Sequence, residues 1–526
     1  MRDFHSPGRS TVIAANGMCA TSHPLAAKVA VQMLEEGGNA VDAAIAAAVV
    51  LGICEPQMTG IGGDCFALVS RAGDDEIIAL NGSGRAPMAL AAEKIRKAGH
   101  SAIPPNGSEA VTIPGAIDAF CTLCKDHGSK GLDEILAPAI RYAEEGVPVA
   151  PRVAFDWAGA ASILQDEAKR FFLFDGKAPK AGRLFRAPKQ ADVLRRIAAK
   201  GRAGFYEGEV AEDMVASLRA LGGVHTLEDF ARTCCAYTAP LSGVYKGMEL
   251  IEHPPNGQGA TALLVAGILS LFDLETMEPW GADRAHIETE AAKLAFDTRD
   301  RVLADADHTA RLDHMLSPET AAALAALIDP KRAMPCPHAL SEAVHKETVY
   351  LTVVDRDRMA VSLIYSIFHG FGSGLASSKY GILFQNRGAG FTLEPGHPNE
   401  AAGGKRPMHT IIPAMLRDGG GVMMPFGVMG GAYQPVGHAR MLTNMIDFGL
   451  DAQSSIDAPR CFGDVGTLKM ERGYPEKVRR ELADRGHLVE IPAAPIGGAQ
   501  AIWIDEASGT LHGASDARKD GCALGY

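Results

Sequence analysis

Two hydrophobic rhythms divide the chain. Residues 23–53 open as HPLAAKVAVQMLEEGGNAVDAAIAAAVV, apolar at helical spacing and nearly unbroken in the second half. This predicts two buried helices, the first stopped by Gly37 and Gly38, the second capped by Asn39. MTGIGGDCFALVS then passes from a glycine-rich turn into a strand, and EIIALNGSGRAP predicts its neighbour. From about Pro114 to Pro330 the spacing is mostly helical, as in LDEILAPAIRYAEEG, ADVLRRIAAKG and DRAHIETEAAKLAFDTRDRVLADAD. A polar, proline-containing stretch, DPKRAMPCPHALSEAVHKE, ends at Thr348. Strand patterns follow it: TVYLTVVD, MAVSLIYSI, HTIIPAMLRD, GVMMPFGVMGG and AQAIWIDEASGTLHGA. The strands before Thr348 are too few for a stable sheet of their own, so they must pair with later ones. The expectation is an α+β layered architecture with one shared core.

Composition narrows the function classes. A net charge of −12 over 526 residues disfavours nucleic-acid and anionic-membrane partners, which need a basic face. The longest apolar run, AVDAAIAAAVVLGIC, is interrupted by Asp42 and followed by Glu55 and Pro56, too short to span a bilayer. The N-terminus lacks the apolar core of a secretory signal, which sets the expected location as cytoplasmic. Ten cysteines in such a chain read as free thiols, including the Cys121/Cys124 pair and adjacent Cys234 and Cys235. There is no HExxH, HxH or clustered Cys/His spacing and no GxSxG elbow, so neither metal nor cofactor is expected.

The remaining candidates are glycine turns and hydroxyls. GIGGD at 60–64 lacks the lysine and hydroxyl of a phosphate loop and reads as tight packing. GVMGGAY at 427–433 places two glycines after a strand, where Gly430 and Gly431 could turn two amides toward one point. In TVYLTVVD the alternation puts Thr348, Tyr350 and Thr352 on one face and Val349, Leu351 and Val353 on the other. A three-residue loop in the following hairpin sets Ser366 opposite Thr348; a two-residue loop sets Tyr365 there. A threonine hydroxyl is a weak nucleophile until a base takes its proton. As a chain terminus, Thr348 carries its own base, an amine titrating near ~7.7–8.0. Pattern alone leaves it between an ordinary strand-opening threonine and a nucleophile.

Longer motifs change that balance. SHPLAAKVAVQMLEEGGNAVDAAIAAAVVLGICEPQMTGIGGDCF, PGAIDAF, LSGVYKGMELIEHPPNGQG, TVYLTVVDRDRMAVSLIYSIFHGFGSG, KRPMHTIIPAM, GVMGG and LHGASDARKDG occur in that order from about residue 18 onward. Together they resemble the gamma-glutamyltranspeptidase family of N-terminal nucleophile (Ntn) hydrolases. The resemblance implies an αββα four-layer sandwich and self-cleavage between Glu347 and Thr348. Residues 1–347 and 348–526 would remain together as a heterodimer of one fold, with a dimer of heterodimers left open. It also implies that Thr348 attacks a small-molecule amide with its own amine as base. The family's second hydroxyl falls on Ser366 and its oxyanion glycines on Gly430 and Gly431.

The family's γ-glutamyl clamp is largely replaced. Its arginine is Ser83, with Arg85 two places on as a substitute; its asparagine beyond the second hydroxyl is Phe368; its ammonium-binding aspartate is Gly390. Its paired asparagines are Gln385 and Asn386, followed by Arg387, and its serine pair is His409 and Thr410. Losing the aspartate leaves a substrate ammonium unpaired. Arg85, Arg387 and His409 suit a smaller anionic acyl group, as in oxamate amidohydrolases and cephalosporin acylases. Hydrolysis or transfer of a γ-glutamyl-type group, hydrolysis of a small anionic amide, and a non-catalytic uncut homologue are the three readings carried forward.

Overall fold

The two early helices form as the spacing predicts. Helix α1 (Pro24–Glu35) stops where Gly37, at φ +87°, and Gly38 turn their N–H groups back to Leu34 and Met33. Asn39 and Asp42 then close a capping box on α2 (Ala40–Cys54), whose fifteen residues are all buried. Buried Asp42 is tolerated because Asn39, Ser129 and Lys130 all donate to its carboxylate.

The computed structural model describes residues 8–335, 348–464 and 466–526. In chain order the main strands are β1 (Val12–Ala14), β2 (Met18–Thr21), β3 (Asp64–Ser70), β4 (Ile77–Gly82), β5 (Ala236–Thr238), β6 (Leu241–Tyr245) and β7 (Met248–Glu252), followed by β8 (Val349–Val354), β9 (Ala360–Ser366), β10 (Ala414–Asp418), β11 (Gly421–Met429), β12 (Gly498–Asp505), β13 (Thr510–Ser515) and β14 (Cys522–Gly525). One seven-stranded sheet runs β1-β13-β12-β11-β10-β7-β6 and the other β14-β2-β8-β9-β3-β4-β5. All pairings within them are antiparallel.

Helices α1, α2 and α3 (Ala116–His127) cover the outer face of the second sheet, and α4 (Gly259–Leu269) and α6 (Gln434–Ile446) cover that of the first, with α5 (Ala282–Val302) packed against α4. Apolar clusters fill each helix–sheet layer and the layer between sheets. This is the αββα sandwich that the sequence resemblance implies. Strand β8 is buried on both faces: Val349, Leu351 and Val353 enter the helix-side core, while Tyr350 and Val354 face the other sheet. Among the described residues no helix is long and apolar enough to cross a membrane.

The hairpin chooses the three-residue loop. Asp355 N–H reaches the Met359 carbonyl at 3.1 Å, Arg358 takes φ +69°, and Val349 pairs with Tyr365, so Thr348 stands opposite Ser366. The mostly helical reading of residues 114–330 needs correcting at β5–β7. Lys246 and Gly247, at φ +46° and +87°, form a two-residue turn that folds β6 onto β7.

Candidate active site

Thr348 enters β8 from the N-terminal side with 2% of its surface exposed. Its hydroxyl points to Ser366 Oγ across 3.5 Å, long for an O–H···O bond. Ser366 Oγ also accepts the Phe368 N–H at 2.8 Å and Arg387 Nη2 at 3.3 Å. Three donors converge on one oxygen, and the contact from Thr348 is the longest.

Arg387 opens a short turn after Asn386 and is wholly buried. Its Nη1 donates to Thr410 Oγ1 at 3.0 Å, and its guanidinium lies 4.0 Å above the Phe368 ring. Nε has no acceptor, and among the described residues no carboxylate lies within ion-pair reach. Burial pulls its pKa down to about 9, against the opposing pull of Asp64. Phe368 itself sits at φ +79°, a backbone region that costs a bulky residue roughly 1 kcal/mol. A cation–π contact of about 1–2 kcal/mol offsets that cost. The residue standing where the family carries asparagine is therefore the platform for Arg387.

Below the arginine lies Asp64, first residue of β3 and the register partner of Ser366. Its Oδ1 accepts from Gly84 N–H at 2.9 Å, Gly115 N–H at 3.2 Å and Gln385 Nε2 at 2.8 Å. Its Oδ2 accepts from His409 Nε2 at 3.1 Å. Because His409 Nδ1 accepts the Ile411 N–H, the ring is the neutral Nε2–H tautomer. Burial, then Arg387 and His253, hold the His409 pKa well below its usual range. Burial raises Asp64 to about 6 despite its donors.

The glycine pair joins β11 to α6 through one tight turn. Gly430 and Gly431 sit at φ +121° and +57°, and a Cβ on Gly430 would lie 3.0 Å from the Gly497 backbone. Gln258 Nε2 donates to the carbonyls of Thr410, at 2.6 Å, and Gly431, at 3.0 Å. Hydrogen bonds thus link Thr348, Ser366, Arg387 and Thr410, and Gln258 ties the Thr410 backbone to that of Gly431.

Three candidates lie apart from this chain of contacts, the first being His409, whose two ring nitrogens are engaged by Asp64 and the Ile411 N–H rather than offered to an anionic group. Arg85 has 42% of its side chain exposed and donates to Asp305 and the Gly404 carbonyl at 3.1 and 2.9 Å. Asn386 is buried, but its amide holds the loop, accepting the His369 N–H and donating to the Pro105 carbonyl. Glu347 lies outside the described residues. Asp64 and Gln258 were missed in the sequence. The available signal for Asp64 was a charge at the head of a strand whose every residue is buried; Gln258 carried no comparable mark.

The sequence profile of the Gamma-glutamyltranspeptidase family matches residues 26–526. The chain is similar to the glutathione hydrolase-like YwrD proenzyme of Bacillus subtilis (strain 168), 36% identical over 98% of this chain and 99% of that one. It is 34% identical to the oxamate amidohydrolase proenzyme of Klebsiella pneumoniae, covering 98% and 100% of the two chains. Its structure superimposes on cephalosporin acylase from Bacillus halodurans with a TM-score of 0.93 at 38% identity, over 100% and 99% of the chains.

Proposed function

The chain belongs to the gamma-glutamyltranspeptidase family, and on that premise we propose that it is a self-processing amidohydrolase using Thr348 to cleave a small, anionic acyl amide. In maturation, Thr348 Oγ1 attacks the Glu347 carbonyl carbon. The C–N bond yields to an ester, and water hydrolyses the ester, restoring the hydroxyl and leaving a terminal amine. Fragments 1–347 and 348–526 stay joined through both sheets. In turnover that amine takes the Oγ1 proton as the oxygen adds to the substrate carbonyl. The Gly430 and Gly431 amides receive the oxyanion, and Ser366 orients the nucleophile. The leaving amine departs with the proton, and water releases the acyl group by the same route.

The observation that carries the anionic reading is Arg387. A buried guanidinium with hydroxyls and an aromatic face for company, and an orphan Nε, is poised for a carboxylate. It stands one hydroxyl away from Thr348, so it would hold an acid group adjacent to the attacked carbonyl. Asp64 already accepts from four donors, which leaves little capacity for the ammonium of a γ-glutamyl group. A dicarboxylic acid monoamide such as oxamate satisfies both conditions, and the likeness to an oxamate amidohydrolase supports the choice.

Intact-mass measurement with N-terminal sequencing tests the first half: a fragment beginning TVYLTVVD is expected, and Thr348→Ala should remain one chain of 55.4 kDa without activity. Wild-type protein that stays uncut on prolonged incubation would remove the Thr348 mechanism. Parallel assays on oxamate and on a γ-glutamyl anilide test the second half. Faster turnover of the anilide would overturn the anionic reading.

A further inference from the structure

We propose that His286, Glu290 and His487 form a binding site for one divalent transition-metal ion of the zinc type. All three side chains are buried, and their ligating atoms lie within 4.8 Å of one another. His286 and Glu290 are one turn apart on α5 and so share a face. The fold brings His487 to them from 201 residues away, which is why no ligand spacing is visible in the sequence. His286 Nδ1 and His487 Nε2 face each other at 2.7 Å, and Glu290 Oε1 is 4.0 Å from that Nε2.

The ligands are already aimed. The Asp329 carbonyl meets His286 Nε2 at 2.7 Å, which fixes the proton there and turns the Nδ1 lone pair inward. Glu290 Oε2 accepts the Met334 N–H at 2.7 Å and leaves Oε1 on the inner side. Outer contacts of this type orient ligands in metal proteins. A cavity of about 170 Å³, lined by Lys293, Met334, Gly486 and His487 among others, adjoins the trio on the His487 side. Two imidazoles and a carboxylate suit zinc, cobalt or nickel better than magnesium or calcium.

Loading the site requires three local changes. The rings must separate slightly, since two nitrogens bound at about 2.0–2.1 Å to a tetrahedral ion stand roughly 3.3 Å apart. The His487 proton moves from Nε2 to Nδ1 by exchange with water. Lys293 Nζ, which holds Glu290 Oε1 at 2.7 Å and the Met334 carbonyl at 3.0 Å, must release the carboxylate. Lys293 is thus the built-in competitor for the ion. The neighbouring Arg485 is already engaged by Asp283 and the carbonyls of Ala282 and Pro330.

The test is titration of chelator-stripped, untagged full-length protein with Co²⁺ and then Zn²⁺. One equivalent of Co²⁺ should bind with a Kd of about 1 µM or below and give the visible bands of a low-coordinate ion. A near-ultraviolet thiolate band should be absent. His487→Gln and Glu290→Gln should each weaken binding ~100-fold, and exposed His314→Ala should leave it unchanged. Lys293→Met, which removes the competitor, should tighten it ~10-fold. Near-ultraviolet circular dichroism checks that each variant is folded. Binding no tighter than about 100 µM in both wild type and Lys293→Met overturns the proposal. So does binding that survives His487→Gln.

Discussion

Arg440 and Arg387 are both buried, yet only Arg440 is paired with a carboxylate among the described residues. Arg440 Nη1 is paired directly with Glu288, which also accepts Arg284 Nε at 2.8 Å; Arg440 Nη2 reaches the Pro459 carbonyl and the Tyr474 hydroxyl, while its Nε, like that of Arg387, has no acceptor. Burial works against its charge, but Glu288 and Tyr474 lift its pKa above the ordinary arginine value. Arg387 has two hydroxyls and a phenyl ring but, among the described residues, no carboxylate in ion-pair reach, and its pKa falls. A charge buried for structure carries its counter-ion within the chain. Under the proposed function a ligand's carboxylate would supply the missing counter-charge beside Arg387, whose neighbours are the hydroxyls of Ser366 and Thr410.

Three experiments can break or sharpen this contrast. The largest effect should come from Glu288→Ala, which strands Arg284 and Arg440 without their carboxylate. A loss of about 3–5 kcal/mol in urea unfolding is expected, with kcat/KM per folded molecule unchanged. Next is Arg387→Met, the mirror image. On matured protein it should cost about 2–4 kcal/mol in recognition of an anionic amide, a 30- to 1,000-fold fall in kcat/KM, while Tm holds or rises. If Arg387→Met instead behaved like Glu288→Ala, the arginine would be structural and the ligand argument would fail.

The smallest effect concerns Asp64. Its folded pKa of about 6 lies above the ordinary carboxylate value of 3.8. The folded chain therefore keeps a proton there that the unfolded chain has lost. That contribution to stability is fully present below about pH 4 and disappears as pH rises through 6. Asp64→Asn has no such dependence. The Tm of the wild type relative to Asp64→Asn should thus decline between pH 4 and pH 7 in thermal scans. A gap that widened in favour of the wild type would mean that Asp64 is held ionised by Arg387 and belongs with the paired charges.

How much of this was legible in the sequence follows from the range of each interaction. The α1–α2 pair and the β8–β9 hairpin are local, so apolar spacing, Asn39 and the turn residues sufficed. The choice between Ser366 and Tyr365 opposite Thr348 depended on one loop residue, Arg358, adopting φ +69°, a conformation that arginine does not advertise. Strands β6 and β7 were overlooked because Lys-Gly is a weaker turn signal than Asn-Gly. Arg85 looked like the natural replacement for a missing arginine, yet Asp305, far along the chain, engages it. Asp64 takes its four donors from residues 84, 115, 385 and 409, and no window of sequence contains them together.

The strand order has a kinetic consequence. In the second sheet β2 lies between β14 and β8, and β9 lies beside β3, so segments from either side of residue 348 are interleaved. An intact chain refolds by a first-order process, independent of concentration. Once severed before Thr348, the same sheet could be rebuilt only by two strands of polymer finding each other and threading into register, a second-order event in competition with aggregation. Cleavage would act as a ratchet: it leaves the native contacts as they were while removing the unimolecular way back after unfolding.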